Sequence, residues 1–367
     1  MVALASLHTE AHKTITSKYT YNGDVFPILR ERCGRCHVDG GPTPMSLMTY
    51  KDASPWAESM REHLTAESMP PWFVDPMGPA VKGGHAITTR ELDILVAWAT
   101  GGTPEGDPAK APALVAEQEQ WKAGMPEQLV GMSAAHTLPG GTLEETVDLV
   151  MPTNLREERW VKAVDLLPGA PSMVRDAVIT TDDGAVLGTW SPGYEATPAP
   201  NGTAFHLAAG ATLHVRMHYK KHWQDEQVEK GDLSTVGLYF TEAPLTGRTI
   251  QTVVIEPPGS DARANQLLTF GGNLTTASRV LALRPALDRA YESFTIEAVL
   301  PNGRRASLLK LHAAQSQWYR RYWLADPVDL PAGTRVEVTA SPAPPTDYAP
   351  STTRYPLQVA VDVVPIS

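Results

Sequence analysis

Cys33-Gly34-Arg35-Cys36-His37 is the stretch whose residue types and spacing could do chemistry. It reads C-x-x-C-H, the pattern through which a c-type haem is attached. Two thiols three positions apart can each close a thioether on one vinyl group of the porphyrin. The histidine directly after the second thiol then supplies the proximal nitrogen to the iron. Three other chemistries compete for these residues. A Cys-rich zinc site needs four ligands, and the chain has 2 cysteines. A thioredoxin-like redox pair needs a β-α-β setting, which the flanking sequence does not show. A disulfide across so short a loop would be strained, because its Cβ atoms must meet within a narrow range of distances. Haem c, one per chain and covalent, is therefore the expected cofactor.

Met69 is the expected sixth ligand. A thioether must be held rigidly to stay on iron, and in Met69-Pro70-Pro71-Trp72 two prolines stiffen the backbone just after the methionine. Met/His ligation favours Fe(II) and suits electron transfer at comparatively high potential. Met77, in the same loop, is a second choice. Met45, Met48 and Met60 are expected to pack in the core or against the porphyrin. His85, beside Lys82-Gly83-Gly84, would make a bis-histidine site, whereas His63 lies in a helical pattern and reads as solvated. An open sixth position would make the haem catalytic, as in a peroxidase, so that alternative depends on Met69.

Helices must position these residues. The apolar positions Phe26, Ile28 and Leu29 predict a short helix from Val25 to Arg32, leading into the motif. After it, Gly40, Gly41 and two prolines predict a loop. Ser54 with Pro55 suits the start of a second helix, whose apolar face is Trp56, Met60 and Leu64. The third helix has the clearest signal. Thr88 to Glu91 fits a capping box, Ile87 and Leu92 fit a hydrophobic staple, and Gly101-Gly102 ends the helix. Short helices around C-x-x-C-H predict a small all-α class I cytochrome c domain.

The chain beyond residue 146 changes character. Leu213 to Tyr219 alternates apolar and polar residues, the mark of a half-buried strand. Similar runs occur at Thr235 to Phe240, Thr249 to Ile255, Ser293 to Val299, Arg335 to Thr339 and Leu357 to Val364. Turn signals such as Pro301-Asn302-Gly303 separate them. Two antiparallel β-sandwich (jelly-roll) domains are expected. The predicted organisation is an arm at 1–24, the haem domain at 25–110, a surface linker at 111–145, and sandwiches at 146–250 and 251–367. His214, His218 and His222 suggest a metal site, but residues four apart on a strand are about 13 Å apart. Surface or interdomain histidines are the expectation.

At 367 residues the chain exceeds one small domain. Its net charge of −10 and scattered basic doublets exclude a nucleic-acid footprint. Lys220-Lys221, Arg304-Arg305 and Arg320-Arg321 read as solvated strand ends. Covalent haem implies export, to the periplasm or another extracytoplasmic space. The run Val2 to Leu7 is too short for a secretory h-region, and Ala3-Leu4-Ala5 is at most the tail of a cleavage site. The sequence is expected to be mature already or to have its true start upstream. No apolar run is long enough to span a bilayer.

Several stretches together resemble a known family. They are the C-x-x-C-H, Pro44-Met45-Ser46-Leu47, Thr49-Tyr50-Lys51-Asp52-Ala53, Met69-Pro70-Pro71-Trp72, and Val96-Ala97-Trp98 with Gly101 to Pro108. Pro152-Thr153-Asn154, His218-Tyr219, Val236 to Phe240 and Pro301 to Arg304 add to the set. The chain resembles bacterial haem-domain fusions of the copper type II, ascorbate-dependent monooxygenases, whose type is peptidylglycine hydroxylating monooxygenase. The resemblance implies two consecutive jelly rolls. Its copper ligands are not matched. The family's His-His pair falls on Arg175-Asp176, and its third ligand on His218. Its His-x-His after a proline falls on Ala286-Leu287-Asp288, and no methionine follows Met217. A lone imidazole does not hold copper in such a site, so copper is not expected. The expectation is a monohaem electron carrier rather than an enzyme, working with a redox partner protein in a larger respiratory or redox assembly, its sandwiches a docking body. The alternative is an oxidoreductase whose haem feeds a remodelled metal centre near His214, His218 and Asp176.

Overall fold

The computed structural model describes residues 16–83, 86–111, 121, 123–194, 196–243, 248–258, 266–344 and 355–366. His85 and the Val2 to Leu7 run, with Ala3-Leu4-Ala5, lie outside the described residues. The chain divides into two compact units, one drawn from 1–39, 45–70 and 86–115, the other from 40–44, 71–85 and 116–367.

The first unit holds four short helices: α1 (Phe26–Arg32), α2 (Tyr50–Ala53), α3 (Ala57–Thr65) and α4 (Thr89–Thr100). A π-helical turn, Tyr21–Val25, precedes α1, and the Thr20 hydroxyl caps it by accepting from Gly23 N–H. Thr88 and Glu91 form the capping box of α4, each side chain accepting from the other's backbone N–H. The cap expected at Ser54 lies elsewhere. Thr49 accepts from Asp52 N–H and starts α2, and Ser54–Trp56 is a 3₁₀ turn between α2 and α3 that leaves Trp56 exposed. Tyr21, Val25, Leu29, Ala53, Leu95 and Trp98 form the core of this unit. Its polar tips are satisfied: Tyr21 Oη donates to Leu47 O at 2.8 Å and Trp98 Nε1 to Pro104 O at 3.1 Å.

The second unit is built of strands. Its first ten are β1 (Gln128–Gly131), β2 (His136–Leu138), β3 (Glu144–Pro152), β4 (Arg159–Leu167), β5 (Val174–Thr180), β6 (Val186–Trp190), β7 (Phe205–Leu207), β8 (Thr212–Lys220), β9 (Lys230–Asp232) and β10 (Thr235–Thr241). Then follow β11 (Gln251–Ile255), β12 (Leu268–Asn273), β13 (Ser278–Ala286), β14 (Tyr291–Val299), β15 (Arg305–Ala314), β16 (Tyr322–Leu330), β17 (Arg335–Pro342) and β18 (Gln358–Pro365). They form four-stranded sheets in the orders β1-β10-β4-β7, β3-β8-β5-β6, β11-β18-β13-β16 and β12-β17-β14-β15, with β2-β9 as a small pair. The first two sheets share one apolar core, through residues such as Val161, Ile179, Val215 and Leu238. The last two share another, through Phe270, Phe294, Leu309 and Val361.

This architecture corrects the expected fold class. The protein is mainly β in a multi-sheet arrangement, and its helices are few and short. Residues 25–110 are not a self-contained all-α class I cytochrome c domain followed by two sandwiches. The segment after Pro71 belongs to the β unit, where Val74 bridges Leu311 and Val81 bridges Leu324. The cause is apolar burial. Phe73 and Val74 join the core of the last two sheets, while Pro70 and Pro71 prevent a helix from carrying on into them. Likewise β1 and β2 lie within the stretch expected as a surface linker, and Leu138 there is fully buried.

Candidate functional site

The C-x-x-C-H stretch is shaped by the end of α1. Cys33 is the residue at which the helix stops, its N–H donating to Leu29 O at 2.8 Å. Gly34 N–H also donates to Leu29 O, at 2.7 Å. A Cβ on Gly34 would stand 2.6 Å from Arg30 O, so the turn admits only glycine. The N–H groups of Cys36 and His37 then both donate to Cys33 O, at 3.0 and 2.9 Å. The turn closes on itself and presents two thiols and one imidazole in a single loop. Arg32 anchors α1 by donating from Nε and Nη2 to Glu91 Oε1, each at 3.1 Å, at the start of α4.

His37 Nδ1 lies 3.3 Å from Met45 O. A carbonyl only accepts, so Nδ1 carries the proton and Nε2 keeps its lone pair. Burial holds the imidazole below its ordinary value; the Met45 carbonyl opposes this and the charge of His63 adds to it. The ring is thus neutral and ligand-ready at neutral pH. Burial pushes the Cys33 thiol up to about 12, with Cys36 adding to the rise. Reactive redox pairs lower this value by sitting at a helix N-terminus, whereas Cys33 sits at a C-terminus, where the helix dipole opposes a thiolate. No disulfide joins the two cysteines. The loop thus presents a Cys33 thiol held protonated by burial and a His37 ring of fixed tautomer with a lone pair on Nε2.

The other ligand candidates are dispersed. Met69 is 38 % exposed, and its N–H lies 3.4 Å from His63 O. His63 is exposed, as expected, and its Nδ1 is 2.8 Å from Ser68 Oγ. Met48 and Met60 pack against the helical core. Met77 is exposed and belongs to the β unit.

The histidines of β8 have separate surroundings. His214 is exposed and meets Asp182 Oδ1 at 3.1 Å. His218 is buried, with Nδ1 2.8 Å from Asp176 Oδ2 and Nε2 2.8 Å from Glu144 Oε1. Both ring nitrogens are thus engaged by carboxylates from β5 and β3. Tyr355 donates to Asp176 Oδ1 at 3.0 Å, and Lys220 pairs with Glu144 Oε2 at 2.9 Å. Among the described residues no group of three or more His, Cys, Asp or Glu side chains could hold a metal ion.

In two of the basic doublets expected as solvated strand ends, the second residue is buried instead. Lys221 is buried and its Nζ donates to the carbonyls of Pro139, Glu226 and Val228. Arg321 is buried too, pairing with Asp362 at 2.7 Å and donating to Leu187 O and Val186 O. The alternation of each neighbouring strand carries no sign of this: Lys221 is covered by carbonyls of the loop just after it and of Pro139, and Arg321 by carbonyls of β6.

No protein-family profile matches the chain, and no curated protein matches it in sequence. Among solved structures it is similar to the major capsid protein of bacteriophage PM2, at 10 % identity over 65 % of this chain and 97 % of that one, with a TM-score of 0.31. A Paenibacillus xanthan lyase is 11 % identical over 72 % of this chain and 28 % of that one, with a TM-score of 0.17. Oxalate decarboxylase from Bacillus subtilis is 9 % identical over 77 % and 84 %, with a TM-score of 0.15. Likenesses this distant establish neither fold nor function. No helix among the described residues is long and apolar enough to cross a membrane.

Proposed function

We propose that the protein is an exported monohaem c-type cytochrome that passes electrons to a partner protein within a larger redox assembly. Cys33 and Cys36 would hold the porphyrin as thioethers, His37 Nε2 would be the proximal ligand, and Met69 the distal one. The bound group would supply a one-electron couple. The chain's own residues hold the ligands: Met45 O fixes the His37 tautomer, and the Arg32–Glu91 bond holds α1, which carries the motif. The observation that carries this reading is the His37 Nδ1–Met45 O contact, directly after the Cys33-to-Cys36 turn whose Cys33 thiol is held protonated by burial. The chain is further proposed to be a relative of the copper monooxygenases without copper chemistry. In support, the position that matches their third ligand, His218, has both nitrogens engaged by carboxylates.

The test is expression in a host that matures c-type cytochromes. The intact protein should gain the mass of one haem and keep peroxidase-type haem staining on a denaturing gel. Cys33→Ala with Cys36→Ala should lose that staining. Met69→Ala should keep the haem and lose the weak near-infrared band of a Met–Fe(III) bond. A chain that leaves such a host with no covalent haem refutes the proposal. A near-infrared band unchanged by Met69→Ala refutes the distal ligand alone.

A further inference from the structure

Two residues after Met69 the chain enters the β unit as a strap, residues 71–82. The strap runs along the outer strands of the last two sheets, β15 in one and β16 in the other. On β15, His312 N–H donates to Phe73 O at 2.9 Å, and Asp75 N–H donates to Lys310 O at 3.0 Å. On β16, Ala325 N–H donates to Ala80 O at 2.9 Å, and Lys82 N–H donates to Trp323 O at 2.8 Å. Phe73 is buried in the core of those sheets, and the Trp72 ring lies 6.2 Å from that of Tyr322.

The first anchor of the strap is a side chain. Arg320 Nη1 donates to Pro71 O at 3.0 Å. Arg320 is buried and its guanidinium lies over Trp318, 5.0 Å from the ring centroid, which fixes the direction of the donor. Proline carries that restraint back along the chain. The rings of Pro70 and Pro71 fix φ, so between the held carbonyl and the Met69 Cα only ψ angles turn freely. On its other side Met69 has a long contact, its N–H 3.4 Å from His63 O, and its side chain is exposed. A ligand held in its bound place loses less freedom on binding and binds more tightly.

We propose, on the reading that Met69 is the distal haem ligand, that Arg320 positions it. By holding Pro71 O, Arg320 keeps the Met69 thioether where it meets the iron. The β unit thereby governs how readily the sixth position opens.

The test uses the full chain, matured with haem. Imidazole must displace Met69 to bind the ferric protein, so its apparent affinity reads how firmly the thioether is held. Arg320→Met keeps the apolar stem and removes the donor. It should keep its covalent haem, weaken the near-infrared Met–Fe(III) band and bind imidazole about tenfold more tightly, the loss of one hydrogen bond from a charged group. Arg320→Lys, which can still donate to Pro71 O, should recover most of the parent's affinity. Pro71→Ala leaves Arg320 and the carbonyl in place and frees φ, and it should also tighten imidazole binding. His218→Ala weakens the same unit away from the strap and should bind imidazole as the parent does. Where the parent shows the band, an imidazole affinity unchanged in either Arg320→Met or Pro71→Ala would overturn the positioning role and leave Met69 as the ligand. An equal gain in His218→Ala would overturn it as well, as a general loosening of the unit. A haem-bearing parent without the band removes Met69 as the ligand, and the role of Arg320 falls with it.

Discussion

Asp362 and Arg321 make the deepest ion pair in the β unit, and its worth can be worked from its contacts. Asp362 is fully buried on β18, accepting from Arg321 Nε at 2.7 Å and from Thr252 Oγ1 at 2.7 Å. Arg321 also donates to Leu187 O at 2.6 Å and Val186 O at 2.5 Å. It therefore ties the β6 edge to β18. Removing one partner leaves the other charge uncompensated in a dry interior, at about 3–5 kcal/mol. Asp362→Ala should lose that much, and so should Arg321→Met, which also removes a donor from Leu187 O and Val186 O. The double variant buries no unpaired charge. It should therefore fall short of the sum of the two single losses by about 2–3 kcal/mol. The assay is equilibrium urea unfolding at neutral pH, followed by tryptophan fluorescence, on all four members of the cycle. Single variants within about 1 kcal/mol of the parent, or a double variant equal to the sum, would refute the account of this pair as a buried, mutually dependent unit.

Glu91 tests the helical unit. Burial raises its carboxyl, but the Thr88 N–H and hydroxyl and then Arg32 outweigh this, leaving it below the ordinary carboxylate value. Its folded pKa is depressed, so its contribution is present above the unfolded value and lost as pH falls through the folded one. Glu91→Gln should cost about 1–2 kcal/mol at pH 7 and flatten the acid limb of melting temperature against pH; an unchanged limb would count against it. His218→Ala should destabilise by about 3 kcal/mol, since it removes the buried partner that Asp176 and Glu144 share. EDTA should leave the melting temperature of the parent unchanged, and a metal-dependent shift would contradict the engagement of both His218 nitrogens by carboxylates. Gly34→Ala should cost about 1–3 kcal/mol, because its Cβ would meet Arg30 O at 2.6 Å. Calorimetry of the helical unit and the yield of covalent haem would both register that loss.

Much of the local structure can be read from neighbouring residues. The Thr88–Glu91 capping box needs only four consecutive positions, and it forms as its spacing predicts. Leu213 to Tyr219 alternates and is a strand. Ser54 misleads because a cap depends on which turn begins the helix, and Thr49, five residues earlier, already caps α2, at whose C-terminal end Ser54 falls. The segment around Phe73 and Val74 misleads for a longer-range reason. Two apolar residues after a proline pair show that something covers them, but not that Leu311 does.

The sequence by itself determined the cysteine and histidine set of residues 33–37, since thiol spacing and the adjacent imidazole are covalent facts of the chain. It also determined the positions of several strands, which alternation alone encodes. Tertiary structure decided the rest. It gave His37 a tautomer through Met45 O, eight residues away. It engaged both nitrogens of His218 with carboxylates from β3 and β5. It buried Lys221 and Arg321, which look solvent-facing in one dimension, Arg321 under the β6 carbonyls of Val186 and Leu187 and Lys221 under those of Pro139, Glu226 and Val228. The physical reason is common to all three: a side chain's charge, tautomer and availability depend on what desolvates and bonds it, and those partners are set by how the chain folds back on itself rather than by the alternation of its own segment.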